Sequence, residues 1–137
     1  MPTSSQPSPP DNQRAGLRKT ARRILVVEDE TLVAMDLEDM LLSAGCEVIG
    51  PVAKVARGLA LARSEPLDGA ILDINVAGEL VYPIAEVLSG RGIALVFASG
   101  YDRGLSVPAH LADYPRIRKP YTIQDIERSL AGFAGTS

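Results

Sequence analysis

The sequence predicts an α/β fold: five parallel strands alternating with five helices, a doubly wound (βα)5 sheet covered on both faces. Three observations carry this expectation. Short runs such as Ile24-Leu25-Val26-Val27, Ala70-Ile71-Leu72 and Ile93–Ala98 are apolar throughout, as strands buried on both faces must be. Between them lie segments whose apolar residues recur at helical spacing. Finally, a chain of 137 residues buries roughly two-thirds of its unfolded surface around one core, so a single domain is expected over this length.

Residues 1–21 read as a disordered tail, rich in Pro and Ser over Met1–Asp11 and then basic. Arg14, Arg18, Lys19, Arg22 and Arg23 make a charged stretch before the first strand. It reads as a solvated leader; contact with an acidic partner or nucleic acid is the other reading, and no aromatic interleaving supports it. The ordered domain is expected over 22–134, with a short tail over 135–137.

The first strand, Ile24–Val27, stops at Glu28-Asp29-Glu30. Val33, Leu37, Met40, Leu41 and Ala44 then mark one face of a helix, with Gly45 at its C-terminal cap. Cys46–Val52 reads as the second strand and Ala53–Ser64 as an Ala-rich helix. The third strand ends at Asp73. Val81, Ile84, Ala85 and Leu88 mark the next helix, with Pro83 in its first turn, where proline is tolerated, and Gly90 and Gly92 after it. The fourth strand ends at Ser99-Gly100. Tyr101–Asp113 is the weakest helical segment, because Gly104 and Pro108 oppose a regular helix. A short fifth strand, Tyr114–Arg118, ends at Lys119-Pro120. Thr122-Ile123-Gln124-Asp125 has the capping-box pattern, and Ile123, Ile126, Leu130 and Phe133 give the last helix its apolar face.

Composition excludes several classes. No apolar run approaches the ~20 residues that span a bilayer, and the N-terminal region lacks the apolar centre of a signal peptide. A cytoplasmic chain is expected. Cys46 is the only cysteine, so it has no internal disulfide partner and reads as a small buried hydrophobe. The net charge of −3 argues for no particular large partner. His110, the only histidine, reads as a surface loop residue.

Ligands in open α/β sheets bind beyond the carboxyl ends of the strands. Those ends carry Glu28, Asp29, Asp73, Ser99 and Lys119. Clustered carboxylates repel one another unless a cation joins them, and a hard divalent ion such as Mg²⁺ suits a few carboxylates, water and a phosphate oxygen. Asp73, the deepest of the three acids, would be a nucleophile forming an acyl phosphate, with the ion and Lys119 neutralising the transferred group. Each residue alone has a plainer reading: the Glu-Asp pair as a helix N-terminus, Asp73 and Ser99 as turn residues, Lys119 as a solvated strand end.

The sequences Ile-Leu-Val-Val-Glu-Asp-Glu at 24–30, Ala-Ile-Leu-Asp-Ile-Asn at 70–75, Phe-Ala-Ser-Gly-Tyr at 97–101 and Arg-Lys-Pro-Tyr at 118–121, in this order and spacing, resemble the response-regulator receiver domains of two-component signalling. The resemblance runs from about Arg22 to Phe133. It implies a flavodoxin-like strand order, 2-1-3-4-5. It implies Glu28 and Asp29 as the acidic pair, Asp29 a direct metal ligand, Asp73 as phosphoacceptor, and Asn75 completing the metal shell through its backbone carbonyl. Ser99 matches the hydroxyl that moves toward the phosphoryl group, Lys119 the family lysine, and the bond to Pro120 is expected to be cis. Mg²⁺ or Mn²⁺ is the implied cofactor. A histidine kinase or histidine phosphotransfer protein is the implied donor. No DNA-binding or other output domain is read in the sequence, so output is expected through a downstream protein partner or a phosphorelay. The chain is expected to be a monomer or weak dimer, and a signalling domain with self-phosphorylation and autodephosphorylation chemistry instead of an enzyme.

One position departs from the pattern. Common receivers carry Tyr or Phe three residues before the lysine, where this chain has Arg116. The chain looks instead like the subfamily whose fourth strand ends Phe-Ala-Thr-Gly-Tyr, with Ser99 in place of Thr. Tyr101 is then the candidate surrogate switch aromatic, its other reading being packing over the site rim. Two rivals follow. A metal-dependent phosphohydrolase on a similar sheet would share the Asp nucleophile but would want a second carboxylate where Asn75 stands. An interaction module without phosphoryl chemistry has only Arg116 in its favour.

Overall fold

In the computed structural model, which describes residues 21–100 and 107–134, the apolar runs become the strands of one parallel sheet. In chain order the elements are β1 (Arg23–Val27), α1 (Thr31–Ser43), β2 (Glu47–Val52), α2 (Val55–Ser64), β3 (Gly69–Asp73), β4 (Asn75–Val76), β5 (Glu79–Leu80), α3 (Tyr82–Gly90), β6 (Ala94–Ser99), a 3-10 turn (Ala109–Leu111), β7 (Arg116–Arg118) and α4 (Ile123–Ala134). The five-stranded sheet has the order β2-β1-β3-β6-β7, every pairing parallel. This is the order 2-1-3-4-5 once the small antiparallel β4–β5 hairpin is set aside.

Successive residues of a strand face opposite sides of a sheet, and the core splits accordingly. Leu25, Val27, Ala70, Leu72, Leu95 and Phe97 point into the layer completed by α2 and α3. Ile24, Val26, Ile71, Val96 and Ala98 point into the layer completed by α1 and α4. Every residue of β3 is buried, which is why its run shows no alternation. Phe97 anchors the first layer, meeting Tyr82 and Tyr114 edge-on at centroid distances of 5.9 and 6.3 Å.

The helix ends follow local rules. Gly45, at φ +85°, closes α1: its N–H donates to Leu42 O and that of Cys46 to Leu41 O, each at 3.0 Å, a Schellman pair. At α4, Thr122 N–H donates to Asp125 Oδ2 (3.2 Å) and Asp125 N–H to Thr122 Oγ1 (3.1 Å), the reciprocal capping box.

Some expectations are corrected. Within the described part of the segment expected to hold the fourth helix, only the 3-10 turn forms; Pro108, its N-terminal flank, supplies no N–H for a longer helix. Helix α2 starts at Val55, not Ala53, and Gly90, expected after the third helix, is the last residue of α3, with Gly92 at φ +73° following it. Ala44, the C-cap of α1, and Ile123, the first residue of α4, leave the apolar faces assigned to them and are exposed. Tyr101, Gly104 and most of the N-terminal tail lie outside the described residues. Among the described residues no helix is long and apolar enough to cross a membrane.

Candidate functional site

Parallel strands bring their carboxyl ends to one edge, and the register sets the heights there. Val27 pairs with Leu72, Asp73 with Ala98, and Ser99 with Arg118. Glu28 therefore continues β1 beside Asp73, and Lys119 continues β7 beside Ser99. Two backbone bonds fix these continuations: Glu28 N–H to Val52 O and Lys119 N–H to Ser99 O, both 2.9 Å. The Lys119–Pro120 peptide is cis, and so is Gly50–Pro51, which was not foreseen.

Glu28, Asp29 and Asp73 each offer a carboxylate oxygen to a common point, these atoms all lying within 4.8 Å of one another. Lys119 reaches into the group. Its Nζ donates to Asp73 Oδ2 at 3.1 Å, to both oxygens of Glu28 at 3.2 Å, and to Glu30 Oε1 at 2.8 Å. A cleft of about 410 Å³ opens over the cluster, with Asp29, Glu30, Asp73, Asn75 and Lys119 in its wall. Its rim is the hairpin that follows β3. The turn residues Ala77 and Gly78 sit at φ +52° and +86°, the left-handed pair of a two-residue hairpin. Asp29 Oδ2 accepts the Ala77 N–H at 3.0 Å, and Asn75 Oδ1 accepts the Gly78 N–H at 3.1 Å.

The electrostatics are those of a site with surplus negative charge. Burial, and then the neighbouring charge of Glu28, push the Asp73 carboxyl up to about 7, against the opposing pull of Lys119. Burial alone would lower the Lys119 ammonium, but its bond to Glu30 and the charges of Asp73 and Glu28 outweigh that and raise it. Tyr121, buried beside Glu28, is raised far above the ordinary phenol range, by burial first and Glu28 second, so its hydroxyl stays protonated and donates to Glu28 Oε1 at 3.1 Å.

Of the residues singled out in the sequence, Glu28, Asp29, Asp73 and Lys119 meet directly and Asn75 lines the same cleft. Ser99 ends β6 at the same edge, half-buried. Arg116 stands apart, exposed on β7 above a groove of about 350 Å³ between β6, β7 and α4. His110 is exposed and pairs with Glu86 at 3.1 Å. Cys46 is buried, and burial raises its thiol. Two members of the cluster, Glu30 and Tyr121, had been given no role. Both lie inside the motifs at 24–30 and 118–121; a third acid after Glu-Asp, and a hydroxyl-bearing ring directly after Lys-Pro, were the available signals.

No family model matches the chain. Individual proteins do. SdrG from Sphingomonas melonis Fr1, known from a solution structure, is 39% identical; the likeness covers 85% of this chain and 99% of SdrG at a TM-score of 0.75. The receiver domain of the sensor histidine kinase PA1611 from Pseudomonas aeruginosa PAO1, whose crystal structure has a magnesium ion coordinated in the active-site cleft, is 21% identical. It matches 85% of this chain and 99% of its own at a TM-score of 0.73, a likeness of fold. The transcriptional regulatory protein PdtaR of Mycobacterium tuberculosis is 30% identical over 108 residues, 77% of this chain. The chain spans about half the length (53%) of that curated relative.

Proposed function

The chain belongs to the response-regulator receiver family, and on that premise we propose that it is a cytoplasmic phosphoacceptor switch, taking a phosphoryl group on Asp73 from a histidine kinase or a histidine phosphotransfer protein. The observation that carries this reading is Lys119 Nζ at 3.1 Å from Asp73 Oδ2 beside the Glu28–Asp29–Asp73 cluster. In the proposed step a carboxylate oxygen of Asp73 attacks the phosphorus of a phosphohistidine. The new P–O bond forms as the P–N bond breaks, and the bonding pair stays with the donor imidazole.

The residues fit a hard divalent cation. Their donors are carboxylate oxygens, and one ammonium faces three acids, Glu28, Glu30 and Asp73; burial first, and the Glu28 charge second, raise the Asp73 carboxyl. Glu28, Asp29 and Asp73 would hold Mg²⁺ or Mn²⁺, with the Asn75 carbonyl completing the set. When bound, the ion supplies charge neutralisation for the acids and for the oxygens of the incoming phosphoryl group. Lys119 contributes the second positive charge, and Ser99, at the end of β6, a hydroxyl for the product phosphoryl. The cleft at the strand ends admits the donor.

Phosphorylation adds charge to a site already rich in it, and such events bias a two-state element nearby. With Arg116 at the usual aromatic position, Tyr101, the residue two after Ser99, is the proposed surrogate switch aromatic. The proposed output is a protein partner or onward transfer in a phosphorelay.

The test is intact mass after incubation with acetyl phosphate, with and without Mg²⁺, on the wild type and Asp73→Ala. A metal-dependent gain of one phosphoryl group, absent in the variant, is expected. No gain in a folded protein that a cognate kinase also fails to label would shift the reading to an interaction module without phosphoryl chemistry.

A further inference from the structure

Glu28 differs from the other acids of the site in having no side-chain exposure. Water does not orient its carboxylate; the protein donors around it do. Lys119 Nζ lies 3.2 Å from both oxygens, the Glu30 N–H 3.1 Å from Oε2, and the Tyr121 hydroxyl 3.1 Å from Oε1. Lys119 is a divided donor, shared with Asp73 and Glu30, and in the proposed reaction it turns to the phosphoryl oxygens. Tyr121 is not divided in this way. Its ring belongs to the core layer under α1 and α4, with 7% exposure. Phenylalanine would fill the same space. A buried hydroxyl costs free energy unless it is paired, and the partner of this one is Glu28.

From this geometry we infer that Tyr121 is a positioning residue: its hydroxyl holds the Glu28 carboxylate facing Asp29 and Asp73 while Lys119 is engaged elsewhere. As a neutral donor it orients the acid without competing with a cation for its charge. The inference rests on the phosphoacceptor reading, since it gives Glu28 a metal to face. Partners that orient ligands in this way commonly matter about 10-fold or more in metal affinity.

The test is calorimetric titration of the full chain with Mg²⁺, with thermal melting as the control for folding. Tyr121→Phe is expected to stay folded and to bind Mg²⁺ about 10-fold more weakly. In a Glu28→Asp background the carboxylate is one methylene shorter and withdrawn from the hydroxyl, so adding Tyr121→Phe changes affinity by less than about twofold. Unchanged affinity in folded Tyr121→Phe overturns the role of Tyr121 alone. An equal further loss in the Glu28→Asp background overturns it too, because the hydroxyl then acts by another route. A wild type that binds no Mg²⁺ overturns the metal-dependent reading of the site, and this inference with it.

Discussion

Lys119 Nζ lies 2.8 Å from Glu30 Oε1, closer than to either oxygen of Glu28 (3.2 Å) or to Asp73 Oδ2 (3.1 Å). The shortest contact is not the one that matters most for stability. The Glu30 side chain is 60% exposed, whereas those of Glu28 and Asp73 are 0% and 5% exposed. Exposed pairs contribute up to about 1 kcal/mol, while removing one partner from buried carboxylates costs about 3–5 kcal/mol. Lys119→Ala is therefore expected to lose about 3–5 kcal/mol in urea unfolding with EDTA present, and Glu30→Gln about 1 kcal/mol or less. A Lys119→Ala protein as stable as wild type would mean that the buried acids shed their charge by taking up protons and not by pairing.

The raised Asp73 carboxyl sets a pH dependence for the metal-free protein. In the unfolded chain an aspartate titrates near about 3.9; in the folded protein burial and the Glu28 charge move it up to about 7. Between these values the folded state keeps a proton that the unfolded state has released, so this group makes stability fall as pH rises from about 4 to about 7, and level off above. Asp73→Asn removes that slope and is expected to be more stable than wild type at about pH 8 in EDTA, by an amount on the order of a few kcal/mol at most. Saturating Mg²⁺ opposes the loss in wild type, by about 2.7 kcal/mol at a hundredfold excess over Kd. Urea melts across pH decide it: an Asp73→Asn curve parallel to wild type would place the titration on another group.

Much of the sheet was legible because strands buried on both faces need apolar residues at every position, and Ala70–Leu72 and Ile93–Ala98 have them. The convergence of Glu28, Asp73 and Lys119 followed from the same fact, since parallel strands share an edge. Other features depend on information that periodicity lacks. Helix α1 packs through Val33, Leu37, Met40 and Leu41, the stripe its spacing marks, but it also carries Leu32, Met35 and Leu42, all exposed, and apolar spacing gives these no role. The hairpin after Asp73 has strands of two residues each and no Asn-Gly turn to announce it. The bonds from Lys119 to Glu30 and from Tyr121 to Glu28 join residues 89 and 93 positions apart, and their pairing rests on side-chain placement within a finished fold.

Gly69 opens β3 directly beneath Phe133 of α4. A methyl group there would collide with the ring, 2.6 Å from Cγ and closer still to Cδ2. The obstacle is an aromatic ring that is 4% exposed and has no flexible end to yield. Gly69→Ala is expected to lose about 1–3 kcal/mol through overpacking, although alanine is otherwise the better strand residue. Phe133→Leu should relieve the collision, so the double variant loses less than the sum of the singles in denaturant unfolding. Strict additivity would mean that α4 can shift away from β3 at little cost.

Ala77 holds φ +52° without being glycine, a conformation that costs an L-residue roughly 1–2 kcal/mol. Its side chain gives nothing in return, because the bond to Asp29 Oδ2 is made by the backbone N–H. Asparagine tolerates this conformation and, followed by Gly78, completes the favoured Asn-Gly hairpin turn. Ala77→Asn is expected to raise stability by roughly 0.5–1 kcal/mol while leaving Mg²⁺ affinity unchanged, since the bond that orients Asp29 is kept. Ala77→Pro removes the N–H and locks φ at about −65°, so it should both destabilise the protein and weaken Mg²⁺ binding. Thermal melts paired with Mg²⁺ titrations separate the two effects. If Ala77→Pro lowers the melting temperature without touching Mg²⁺ affinity, the hairpin serves only as a loop closure, and Asp29 takes its orientation from the start of α1.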